Sequence, residues 1–134
     1  MGLKASNLKR CSLSLTIEEQ SVDDVVVLKI SGRIILGRDC QQVEWKVEDL
    51  AREKKTKIVL DLSGCDHVDS SGVGIIMMCY GKAKKSGGDL RLAGVTGNVE
   101  RVLRTVSLER IFQFYPTAAA AVQAFSISGS QSRA

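Results

Sequence analysis

The order of apolar patterns constrains this chain more than any other feature: two extended segments come first, and helices and strands alternate after them. Leu13, Leu15 and Ile17 alternate with Ser14, Thr16 and Glu18, the period of a half-buried strand. Ser21–Asp24 reads as a polar turn, and Val25–Ile30 as a strand closed by Ser31–Gly32. The short link between them favours an antiparallel hairpin. Cys40, Val43, Val47, Leu50 and Ala51 then share a helical stripe, with Asp39 near its start and Trp45 on the opposite side. Lys57–Asp61 reads as a central strand, and a helix from about Ser71 to Ser86 closes at Gly87–Gly88. Asp89–Ala93 is a further strand, and Val99, Val102, Leu103 and Val106 form a third helical stripe. Phe112, Phe114 and Tyr115 lie in a short extended stretch before Pro116, and Thr117 opens a last helix over Ala118–Phe125. This order implies one α/β domain with a mixed sheet packed with about four helices. The expected boundaries are an arm at 1–11, the domain at 12–125 and a polar, disordered tail at 126–134.

Composition narrows the function. The 134 residues are 44% hydrophobic and 25% charged, which supports a real core, and no run of apolar residues is long enough to span a membrane. The net charge of +4 comes with only 4% aromatics, and basic residues are interleaved with acidic ones, as in Glu48–Lys55. Nucleic-acid binding needs clustered basic groups and stacking rings, so no nucleic-acid partner is expected. Cys11, Cys40, Cys65 and Cys79 form no CxxC pair, and His67 is the only histidine. They read as reduced thiols in a cytoplasmic chain, with no metal site.

Enzyme signatures fail on spacing. Gly81–Lys82 lies mid-helix, and Gly74 stands at the wrong distance for a phosphate-binding loop. Gly94 and Gly97 have no third glycine. Asp69 occupies the glycine position two before Ser71 that a nucleophile elbow requires. A triad would have to use His67, three residues before Ser70, an awkward geometry.

One segment breaks the ordinary pattern: Asp66-His67-Val68-Asp69-Ser70-Ser71-Gly72-Val73-Gly74. Asp69, Ser70 and Ser71 are all good N-cap residues. Gly72 and Gly74 cost helix propensity, about 1 kcal/mol each relative to Ala, and so suggest room for another molecule to approach. A helix N-terminus offers unsatisfied N–H groups and roughly half a positive charge, which suits a phosphate on an adjacent serine. In the helix that follows, Val73, Ile76, Met77 and Tyr80 are expected to face the sheet, while Ile75, Met78 and Cys79 point away and offer a second apolar face.

Val59-Leu60-Asp61-Leu62-Ser63, Val68-Asp69-Ser70-Ser71-Gly72-Val73-Gly74 and Gly87-Gly88-Asp89-Leu90 together resemble the STAS domain of bacterial anti-sigma factor antagonists. The likeness runs from about Val25 to Phe125. It implies a phosphorylatable serine at Ser70 within a switch loop of Asp69, Ser71, Gly72 and Gly74. The unmodified form would bind an anti-sigma factor that is also a serine kinase, and a PP2C-type phosphatase would reverse the modification. ATP belongs to the kinase, so no cofactor is implied for this chain. Val73, Ile75, Met78, Asp39 and Trp45 are the candidate partner contacts, on a monomer or weak dimer. The chain departs from the family at Gly32-Arg33-Ile34-Ile35, where many members carry Asp in place of Ile35; Asp39 follows four residues later. The alternative is a scaffold subunit of a sensory or lipid-transport assembly, with Ser70 only a helix cap.

Overall fold

The computed structural model describes residues 15–35 and 37–132, without the side chains at 39, 109 and 126–132. Strands β1 (Leu15–Val22) and β2 (Val25–Ile34) form the antiparallel hairpin, with Val22 opposite Val25 and Asp23 in the left-handed region at φ 57°. β2 pairs in parallel with β3 (Lys57–Val68), β3 with β4 (Asp89–Ala93), and β4 with β5 (Phe114–Tyr115). The resulting order is β1-β2-β3-β4-β5. Helices α1 (Arg38–Arg52), α2 (Ser70–Lys85) and α3 (Gly97–Thr105) make the crossovers, and α4 (Ala118–Ser132) follows β5.

Right-handed crossovers that progress one way across a sheet put their helices on one face. The packing agrees. Val43, Val47 and Leu50 of α1, Ile76, Cys79 and Ala83 of α2, and Val99 and Leu103 of α3 bury against Leu28, Leu60 and Leu92 in a single core. The other face receives α4, whose Ala121 and Phe125 pack on Val27, Val59 and Ala93. Arg91 is buried there, donating to Asp89 and to the Tyr115 hydroxyl at 3.3 Å each, with its guanidinium 4.2 Å from the Phe125 ring centre. A buried cation needs such partners.

Several expectations are corrected. β2 continues through Ser31–Gly32 to Ile34, because Gly32 pairs with Leu15 on one side and Cys65 on the other. β3 runs on to Val68 rather than stopping at Asp61. Past Leu62 its buried residues are Cys65 and Val68, spaced by three, and the register with β2 shifts twice. Bulged pairing thus replaces strict alternation. In α2 the inward stripe is Gly72, Ile76, Cys79 and Ala83, so Cys79 is buried and Met77 is not. The small residues let α2 approach the sheet closely, and Val73, Ile75 and Tyr80 become half-buried flanks. The helix that opens at Thr117, whose Oγ1 accepts from the Ala120 N–H at 3.1 Å, stays helical past Phe125 through Ser132. Once nucleated, each added residue gains one further backbone bond. The expected boundary between residues 11 and 12 lies outside the described residues.

Cys79 is fully buried, and burial, aided by the nearby Glu44 carboxylate, pushes its thiol from the ordinary 9.0 up to about 12. Burial pushes the Cys65 thiol up as well. Below about 9 the proton stays on in both folded and unfolded chains; between 9 and 12 the unfolded thiol ionises while the folded one does not. Stability is therefore expected to fall as pH rises from 9 toward 12, in urea titrations at stepped pH. At pH 8, Cys65 and Cys79 should resist a disulfide-exchange reagent until urea unfolds the chain.

Candidate functional site

The site is built where β3 ends and α2 begins. Asp69 has extended backbone angles, and its carboxylate accepts from the Gly72 N–H at 2.8 Å, making it the N-cap. Its own N–H donates to the Ile34 carbonyl at 3.3 Å, and its carbonyl accepts from the Val73 N–H at 3.0 Å. The cap therefore ties the start of α2 to the end of β2. Ser70 is the first residue of the helix and is exposed; Ser71 is half-buried. Amides at the first positions of a helix have no intrahelical acceptor, and Asp69 satisfies the one at Gly72.

The two glycines differ. A Cβ on Gly72 would lie 2.4 Å from the Ile34 carbonyl oxygen and 2.9 Å from Val68 Cγ1. Gly72 is thus needed for packing α2 against β2, not for access by another molecule. A Cβ on Gly74 would meet nothing within 4 Å, so the approach open to another molecule is at Gly74.

The second segment of the site joins the end of β2 at Ile34 to the start of α1 at Arg38. Ile35 is half-buried, and its carbonyl accepts from the Cys40 thiol at 3.0 Å. Gly37, at φ 108°, turns the chain into α1, whose first turn contains Asp39. The Asp69–Ile34 bond brings this loop, with its departure at Ile35, beside the Ser70 loop.

The outer layer of α1 and α2 carries the exposed apolar side chains Trp45, Met77 and Met78. Trp45 is 56% exposed on α1, and Met78 is 46% exposed on α2 beside Met77. Val73 and Ile75, expected as contacts, are half-buried and packed on the core. The expectation that Met77 faces the sheet rests on helical spacing; the small residues Gly72, Cys79 and Ala83 in line with Ile76 are the signal for the inward face. Lys82 of α2 donates to Glu48 of α1 at 2.9 Å, and this bond holds the Lys82 ammonium above its ordinary range. His67 lies exposed on β3. No helix among the described residues is long and apolar enough to cross a membrane.

The STAS domain family model matches residues 16–121. A Thermotoga maritima protein classed as an anti-sigma factor antagonist is 30% identical over 102 residues, covering 76% of this chain and 90% of its own. The anti-sigma F factor antagonist of Paenibacillus polymyxa is 26% identical over 104 residues, covering 77% and 88%. The crystal structure of an anti-sigma factor antagonist from Mycobacterium paratuberculosis superposes with a TM-score of 0.76 at 25% identity, over 84% of this chain and 95% of that one.

Proposed function

This chain belongs to the STAS domain family, and we propose that it acts as an anti-sigma factor antagonist switched by phosphorylation at Ser70. The observation that carries this reading is the placement of Ser70: exposed on the first helical position, directly after the Asp69 cap, with open space at Gly74. A kinase can reach that hydroxyl without unfolding anything. The unmodified loop, together with Met78 and Trp45, forms the surface for an anti-sigma factor with serine-kinase activity, and a PP2C-type phosphatase restores it. The kinase supplies the ATP, so the chain works by binding, as a cytoplasmic monomer or weak dimer.

A phosphate at Ser70 adds about −1.5 to −2 charges at pH 7. The free helix end tolerates it, because N–H dipoles and the macrodipole favour an anion there. A partner surface that must strip water from the dianion beside Asp69 does not. The modification therefore favours the free chain over the complex.

Incubation with ATP and a serine kinase of the anti-sigma type, followed by mass spectrometry, is expected to place phosphate on Ser70 and none on a Ser70→Ala variant. Phosphate only at other positions would overturn the assignment. Co-purification in a large assembly that ignores phosphorylation would instead establish the scaffold role, with Ser70 serving the helix alone.

A further inference from the structure

The sheet face opposite α2 carries a concave surface. α4 packs mainly over β2, β3, β4 and β5, and β1 lies beyond them at the edge of the sheet. A cleft of about 710 Å³ opens there between β1, β2 and the first turns of α4. Val22, Ala118 and Val122 line its apolar parts. Its floor is a charged ladder, with Glu18 opposite Lys29 across β1–β2 and Lys29 opposite Asp61 across β2–β3. Asp23 also lines the cleft, while Glu19 at its border is held by Lys46 of α1 at 2.5 Å. Three carboxylates thus face one ammonium, on a chain whose net charge is +4. Asp61 is half-buried and accepts from the Ser63 N–H at 3.0 Å, so its carboxylate is held in position.

We propose that this cleft docks an extended, basic peptide segment of a partner protein, independently of the state of Ser70. Charge decides the class: the local excess of carboxylates attracts cations and repels nucleic acid and acidic chains. The strand geometry decides the conformation. Successive outward residues of β1, such as Glu18, Gln20 and Val22, are about 6.6 Å apart, the spacing of alternate side chains on a second extended chain. Such a segment can place cations at Glu18 and Asp61 while its apolar side chains meet Val22 and Val122.

The test titrates the full-length, isotope-labelled chain with an acetylated peptide of about eight residues, lysines in its first half and valines in its second, so that one strand face carries both, by NMR. Saturable shifts are expected on β1, β2 and the start of α4. Glu18→Lys should weaken the affinity about tenfold or more, and Asp61→Asn, which keeps an acceptor for Ser63, should weaken it several-fold. Ser70→Asp should leave it unchanged, which separates this surface from the switch. Shifts scattered over other acidic surfaces, or an affinity indifferent to Glu18→Lys, would overturn the proposal. So would two results without peptide. If Glu18→Lys alone moves the amides of residues 1–14, which carry Lys4, Lys9 and Arg10, the occupant is the chain's own segment. If it converts a dimer to a monomer in sedimentation, the occupant is a second copy.

Discussion

Ser70→Asp is expected to weaken binding to the anti-sigma partner about 100-fold relative to the unmodified chain, while Ser70→Ala stays within a few-fold. The carboxylate reproduces part of the phosphate's charge at the same exposed helical position, immediately after Asp69. Unpaired or like charges at a desolvated contact cost several kcal/mol, and each 1.4 kcal/mol is a factor of ten in affinity. In the free chain the sign reverses. A carboxylate in the first turn of α2 interacts favourably with the helix dipole, by about 0.3–1 kcal/mol, so Ser70→Asp should unfold at equal or higher urea. Calorimetric titration of the partner and urea unfolding of the free chain measure the two halves. Lost affinity with lost stability would mean that Ser70 is structural; unchanged affinity would mean that the loop lies outside the interface.

The strand–helix order was legible because it rests on long periodic patterns: Val43, Val47 and Leu50 of α1 are buried as their spacing demands. The extension of β3 was not, because Leu62, Cys65 and Val68 recur every third residue and match neither a strand nor a helix period. The motif around Ser70 was legible as a helix start, since three consecutive capping residues announce one. Which of them caps depends on where β2 ends, and the Asp69–Ile34 bond that decides it joins residues far apart in sequence. The faces of α2 differ from the spacing-based expectation for a related reason. Helical spacing admits Met77 to an inward stripe with Ile76 and Tyr80, but helix–sheet distance selects the small residues Gly72, Cys79 and Ala83 for that side. The cleft beside the start of α4 could not be read from one strand. It depends on Glu18, Lys29 and Asp61 falling into register on three strands, and on α4 passing to the far side of them.

The glycines of the switch loop are expected to respond in opposite directions. Gly72→Ala should cost about 2–3 kcal/mol of stability, whereas Gly74→Ala should add up to about 1 kcal/mol. Both gain the same helix propensity, so the difference is packing. The new methyl at position 72 would sit 2.4 Å from the Ile34 carbonyl oxygen, 2.9 Å from Val68 Cγ1 and 3.1 Å from Ile34 Cγ2. That carbonyl has little freedom to turn aside, since it accepts the Asp69 N–H. Relief requires α2 to move off the end of β2, which stretches the bond that positions the Ser70 loop. Gly72→Ala should therefore also weaken partner binding beyond what its stability loss accounts for, while Gly74→Ala tests only the space above the loop. Urea unfolding gives the two stability changes, and partner titration below the unfolding range gives the affinities. Equal stabilities for the two variants would show that Gly72 does not hold the close approach of α2 to β2, and the geometry ascribed to Ser70 would lose its support.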